Sequence, residues 1–315
     1  MWPLPGAVRV TACERFTVEG PPPDQAADST ERLSYLRGLM ASLSTRFRLG
    51  SSITAEQLEF LEVHGFLVFQ KVAAPDEVAR LLGELERIER RWLDEGREHV
   101  HGIPLFVGRR ANGTPLIQRF PFSSCFSEFI HEFVRDPRFM PIRSLIGEGT
   151  RVGDREKDGV VVNRYLNAPG SVHKKLGWHT DGLRDLFYLR MPHQMLNVGL
   201  HLDRVRAEDG GLRLIPGTHT QGFLSMCFKK PYFVSHAPDP NEIAIETEPG
   251  DLTVHDGRLW HRVQVSPRVG PESLRHSMYV PYLTDAYQPK DEHSPTPLYH
   301  RLGHAMRKRK LGRAL

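Results

Sequence analysis

Between Val160 and Leu283 the chain alternates short runs of β-branched and aromatic residues with Pro and Gly punctuation, over 160–166, 176–181, 195–203, 211–216, 243–247, 251–255, 260–266 and 275–283. Runs of this length suit strands rather than helices. Repeated at short intervals with turn residues between them, they predict an all-β sandwich or barrel. A double-sheet jelly roll closes such a set. The expected fold is therefore mainly β with flanking helices, built on a double-stranded β-helix of the cupin-like kind. Val161, Tyr165, Leu200, Leu214, Val254 and Val263 are expected in its core.

The residues before 160 read differently. Residues 1–29 are Pro-rich and irregular, and 29–46 carry apolar residues at helical spacing after Ser29, a helix-capping residue. Thr54-Ala55-Glu56-Gln57 is a capping box for a helix that closes at Gly65. Phe66-Leu67-Val68-Phe69 reads as a buried strand. Pro75 starts a helix to about Trp92, with Val78, Leu81, Leu82, Leu85 and Ile88 on one stripe. Residues 97–150 mix Gly, Pro and aromatics around one expected helix, 127–135. The expected organisation is an N-terminal arm and helix over 1–50, a single domain over 51–290 with its barrel at about 160–285, and a basic tail over 291–315.

His179-Thr180-Asp181, with His261 far downstream, lies within the β series. Residues i and i+2 of a strand point to one side, so one segment supplies two ligands and a distant strand the third. Two His and one carboxylate form the facial set that favours non-haem Fe(II) and leaves positions open. A chain with 16 His and 38 acidic residues makes H-x-D pairs by chance, and His201-Leu202-Asp203 is a second copy. Context selects the first, because Gly177-Trp178-His179-Thr180-Asp181-Gly182 reads as a strand ending in a turn, where a site can open.

Further motifs follow in order: Asp209-Gly210-Gly211-Leu212-Arg213-Leu214-Ile215-Pro216-Gly217-Thr218-His219, then Gly250-Asp251-Leu252, then Trp260-His261. Together with the helix–strand–helix opening, this order resembles the phytanoyl-CoA dioxygenase family of Fe(II)/2-oxoglutarate-dependent oxygenases, over roughly residues 55–285. The resemblance implies Fe(II) on His179, Asp181 and His261, 2-oxoglutarate chelating the metal, and one position left for O2. It also implies Arg275 as the cation for the far carboxylate, gripped in bidentate fashion, with Ser277 beside it. Arg268 competes, but Pro267, Gly270 and Pro271 put it in a turn. Asn163 and Asn197 are further candidates for the cosubstrate. Trp178 and Trp260 are expected to brace the barrel, and His219 to serve its turn. Related halogenases replace the carboxylate ligand by a small residue. Asp181 is retained here, which favours hydroxylation, desaturation or ring closure, outcomes that differ in substrate pose.

The segment 221–242 contains Phe223, Met226, Phe228, Lys229, Lys230, Tyr232 and Phe233, too apolar for a merely solvated linker, and reads as a lid. A second rim is 182–194. Lys175, Arg184, Phe228 and Tyr232 are the candidates for substrate contact, with solvated loop charges as the alternative reading of the cations. The function expected is hydroxylation of a small organic substrate, acidic or of secondary metabolism, with release of succinate and CO2. A non-oxidative cupin-like metalloprotein, or a binding module without activity, is the alternative. The former has no use for Arg275 beside Ser277, and the latter should have lost a ligand.

Bulk properties fit an ordinary globular protein, 39% hydrophobic and 25% charged. The net charge of +4 is concentrated at Arg307-Lys308-Arg309-Lys310 and Arg313, without the interleaved aromatics that nucleic-acid binding uses. Three scattered cysteines suggest neither a disulfide framework nor zinc spacing. No signal peptide or spanning segment is read. A cytoplasmic enzyme with a small-molecule partner and neither nucleic acid nor membrane is expected.

Overall fold

The computed structural model describes residues 43–182, 185–186, 189–297 and 300. The arm, most of the helix expected over 29–46, Arg184 and most of the basic tail lie outside them. Contacts divide the chain into Met1–Thr45 and Arg46–Leu315, and the second unit is described here.

Thr54 caps the helix Ala55–His64 as the sequence predicts: its hydroxyl accepts from Gln57 N, and the Gln57 side chain accepts from Thr54 N. Gly65 ends the helix at φ 80°, and a Cβ there would lie 2.4 Å from the His219 ring, so only glycine fits both the conformation and the space. The helix Pro75–Asp94 buries Val78, Leu81, Leu85, Ile88 and Trp92 along one face.

The strands are β1 (Phe66–Phe69), β2 (His99–Val100), β3 (Ile103–Pro104), β4 (Phe106–Arg109), β5 (Pro115–Phe120), β6 (Arg151–Val152), β7 (Val161–Tyr165), β8 (Leu176–His179), β9 (Met195–His201), β10 (Gly211–Leu214), β11 (Ile243–Ala244), β12 (Leu252–Asp256), β13 (His261–Gln264) and β14 (Arg275–Leu283). The large sheet runs β1-β12-β9-β14-β7-β5-β4 with β6 beside β14, and the small sheet runs β11-β10-β13-β8. The pairings within them are antiparallel. This is the jelly-roll core the strand series predicts, and all six expected core residues are buried. Three expectations shift. Residues 97–150 are not strand-poor, since β4 and β5 extend the large sheet. The run 176–181 ends at His179, where the chain turns. The run 243–247 contracts to two residues, because Thr247 pairs only as a single bridge with Val205.

Alternation divides the large sheet chemically. Val198, Leu200, Leu252, Met278 and Val280 pack under Phe133, Val134 and Phe139. The opposite face carries Asn163 and Tyr165 on β7, Asn197 and His201 on β9, Thr253 and His255 on β12, and Arg275 and Ser277 on β14, neighbours by strand register. Bonds from this polar face reach the small sheet and the turn after β8, so the polar residues lie between the sheets.

Glu89 anchors the long helix to the sheet. It is 4% exposed, and one oxygen accepts from Arg164 Nη1 at 2.9 Å and Ile117 N at 2.8 Å. The other accepts from Arg110 Nη2 at 2.9 Å. Removing one partner of a buried ion pair strands the other charge. Glu89→Ala should therefore cost about 3–5 kcal/mol in denaturant unfolding, with the native CD spectrum kept below the transition.

Candidate metal centre

Antiparallel pairing of β8 with β13 sets His179 opposite His261, with ring centroids 4.1 Å apart. The register shifts just beyond, between His261 and Val263, a local irregularity of the kind that re-aims side chains beside sites. Asp181 follows two residues after His179, its backbone N–H bonded to Gly257 O. Its Oδ1 lies 4.0 Å from His179 Nε2 and 3.8 Å from His261 Nε2, and the three ligand atoms all fall within 4.8 Å of one another.

Each imidazole is held by its other nitrogen. His179 Nδ1 lies 2.8 Å from Gly177 O, and His261 Nδ1 3.0 Å from Leu259 O. A carbonyl only accepts, so each Nδ1 carries the proton and each Nε2 turns its lone pair into the site. Burial lowers the pKa of both rings, and for His261 the repulsion of His179 adds to it. At Asp181 burial pushes upward, but His261, His255 and His179 outweigh it and hold the carboxyl below the usual carboxylate range. Two neutral imidazoles and one carboxylate therefore stand ready at neutral pH, a donor set that fits Fe(II) and leaves coordination positions open.

Arg275 begins β14, opposite Tyr165 and 6% exposed. Its Nη2 donates to Gln264 O at 3.1 Å, while Nε and Nη1 have no hydrogen-bond partner among the described residues. Burial lowers its pKa, yet a guanidinium stays charged at neutral pH. A buried cation with free donors fits a carboxylate ligand. Ser277, two residues on, lies between Asn163 and His201 in the register. Arg268 is exposed and paired with Asp209 at 3.0 Å, in keeping with its turn.

Other predicted residues separate. Asn197, expected at the cosubstrate, instead donates to Asp181 Oδ2 at 3.1 Å, because strand alternation aims it at the carboxylate. His201 Nε2 lies 3.1 Å from Thr253 Oγ1, and Asp203 binds His276, so the second H-x-D pair is split where β9 ends. Tyr232, expected at the substrate, uses its hydroxyl on Thr180 Oγ1 (2.7 Å) and packs on Trp260, within a cluster of Trp178, Ile215 and Trp260. Phe228 stands 80% exposed on the helix Phe223–Phe228, and Lys175 is exposed before β8. His219 joins its turn to the helix Ala55–His64, with Nε2 3.1 Å from Glu62 O.

The expected lid is stitched to β8. Phe233 N donates to Trp178 O, Trp178 N to Ser235 O and Trp178 Nε1 to Ala237 O. Lys230 and Arg262 lie 4.8 and 5.3 Å from the Trp178 ring. A Cβ on Gly177 would sit 2.5 Å from Phe233 O, so glycine permits this approach. The sequence reading placed Phe233 only within the lid and gave His255 no role. Phe233 lies 4.9 Å from the His179 ring, and His255 4.6 Å from the His261 ring. For His255 the alternation with Thr253 was the available signal.

The sequence pattern of the phytanoyl-CoA dioxygenase (PhyH) family matches residues 61–264. An ectoine dioxygenase of Bordetella bronchiseptica is 26% identical over 222 residues, 67% of this chain and 67% of that protein. Among solved structures, HygX from Streptomyces hygroscopicus with nickel and 2-oxoglutarate bound matches with a TM-score of 0.55 and 19% identity, over 79% of this chain and 94% of its own. EvdO2 from Micromonospora carbonacea var. aurantiaca, complexed with 2-oxoglutarate, matches with a TM-score of 0.51 and 18% identity, over 79% and 96%. At these identities the two structures share the fold with this chain.

Burial holds His201 at about 4, with repulsion from His255 and Arg46 adding to the effect, against an ordinary 6.5. Its folded pKa lies below the unfolded one, so the stability it contributes is complete above about 6.5 and is lost as pH falls towards 4. The difference is on the order of 3 kcal/mol. His201→Gln should flatten the acid side of the pH–stability curve of the metal-free protein, measured by urea unfolding across that window. An equally steep acid limb would count against this.

Proposed function

This chain belongs to the phytanoyl-CoA dioxygenase family, and on that premise we propose that it hydroxylates a small organic molecule bearing an acidic group. It is a dioxygenase that depends on iron(II), 2-oxoglutarate and O2. In the reading proposed here, His179, Asp181 and His261 hold the iron, and Arg275 with Ser277 holds the far carboxylate of 2-oxoglutarate. Once bound, iron and 2-oxoglutarate would activate O2, the oxidant, and 2-oxoglutarate, oxidised in turn, would leave as succinate and CO2. The residues of the chain do the positioning. Gly177 and Leu259 carbonyls fix the imidazole tautomers, and the inward face of the large sheet carries the hydroxyl and amide groups of Asn163, Asn197, Thr253 and Ser277 on the same side as Arg275.

The observation that carries this reading is the buried guanidinium of Arg275, with two nitrogens unpartnered among the described residues, bonded to the same strand that carries His261 of the metal cluster. A barrel that used its metal without oxidation would gain nothing from Arg275, which costs free energy to bury unpaired. Substrate would meet the iron beside Phe233, which is 41% exposed against His179. Lys175, exposed before β8, is the candidate for the acidic group. Succinate release from 2-oxoglutarate under Fe(II), enhanced by one class among screened organic acids, tests the whole proposal. Iron-dependent turnover absent for every candidate would reject the substrate class.

Losing a charge-assisted contact costs about 1.5–3 kcal/mol. Arg275→Ala should therefore raise the apparent KM for 2-oxoglutarate at least about tenfold, while Arg268→Ala leaves it near the wild-type value. The reverse ranking would reject Arg275 as the anchor. Shortening 221–242 should keep succinate release and abolish substrate hydroxylation, because water then reaches the oxidising centre. Normal product yield from the shortened protein would remove the lid from the account.

A further inference from the structure

The two oxygens of Asp181 meet different surroundings. Oδ1 faces His179 Nε2 and His261 Nε2 at 4.0 and 3.8 Å. Oδ2 faces the other way, accepting from Asn197 Nδ2 at 3.1 Å with His255 Nε2 3.7 Å away. Asn197 and His255 are cross-strand neighbours on β9 and β12, so the same register that builds the sheet brings both groups to one oxygen.

His255 is the less expected member. It is 1% exposed, and neither ring nitrogen has a hydrogen-bond partner among the described residues. A buried, unsatisfied imidazole destabilises a fold relative to an apolar ring of similar size. Its Nε2 stops about half an ångström short of hydrogen-bond range to Oδ2. The group is thus aimed at the carboxylate that Asn197 already holds.

We propose that Asn197 and His255 are positioning residues that clamp Oδ2 and leave Oδ1 as the one Asp181 oxygen offered to the metal. The proposal rests on the ligand assignment above. A carboxylate that binds with both oxygens takes an extra coordination position, and the cosubstrate needs two of those the protein leaves open. Donors fixed on one oxygen prevent this, and such outer partners govern affinity or activity at metal sites.

The test uses the full chain loaded with cobalt(II), which N/O sites of this kind also bind. Equilibrium binding of 2-oxoglutarate and the visible absorption of the bound cobalt are read for the wild type, Asn197→Leu, His255→Phe and His255→Gln, with Asp181→Ala as control. Asn197→Leu and His255→Phe should weaken 2-oxoglutarate binding roughly 10–100-fold and change the cobalt absorption, as a second carboxylate oxygen enters. His255→Gln, which keeps an N–H donor, should recover most of both. The metal-free His255→Phe protein should melt at or above the wild-type temperature.

Wild-type affinity and absorption in Asn197→Leu and His255→Phe would overturn the clamp, provided Asp181→Ala no longer binds cobalt. A drop in melting temperature shared by His255→Phe and His255→Gln would overturn it too, by marking a packing role. Cobalt bound undiminished by Asp181→Ala would instead reject the ligand assignment beneath it.

Discussion

Antiparallel pairing of β8 with β13 sets His179 across from His261, and the rest of the molecule is arranged around that pair. Two imidazoles at this separation repel if both are charged, so burial must keep them neutral. Burial is supplied by the large sheet, whose polar face covers them. Asp181 adds the one carboxylate of the cluster, and its place depends on the turn that begins where β8 stops.

A polar layer between two sheets is unusual for a sandwich core, and the fold offsets it elsewhere. The outer face of the large sheet carries the apolar side chains, covered by short helical turns around Phe133 and Phe139. Glu89 ties the long helix to β5 and β7 through charges that satisfy one another. Among the described residues, Arg275 and His255 on the inward face of the large sheet are each left with two ring or guanidinium nitrogens that have no hydrogen-bond partner. Strain of this kind gathers where a ligand relieves it.

The strand series and the ligand spacing were readable because both express a period of two. His179 and Asp181, or Arg275 and Ser277, sit at i and i+2, and the motif order distinguished the first H-x-D pair from the second. Asn197 was recognised as facing inward but assigned to the cosubstrate, since alternation tells which side a residue faces and not which group it meets there. His255 went unread because its significance lies in register with Asn197 across two strands distant in sequence. Strands β4 and β5 were missed because Pro115 and the polar pair Gln118-Arg119 interrupt their apolar pattern. Tyr232 looked like a substrate contact by composition, whereas the ring lies against Trp260 and the hydroxyl on Thr180.

The attachment of 233–235 to β8 has a consequence for the sheet itself. β8 ends the small sheet, and an uncovered edge strand offers its backbone groups to any other chain. The bonds through Trp178 and Ser235 occupy that edge, and Phe233, at φ 59°, bends the covering segment away from regular strand geometry. The segment that lies along β8 beside His179 therefore also covers the backbone groups of that edge strand. A change in the course of 233–235 would therefore act at once on the ring beside His179 and on the cover of that edge.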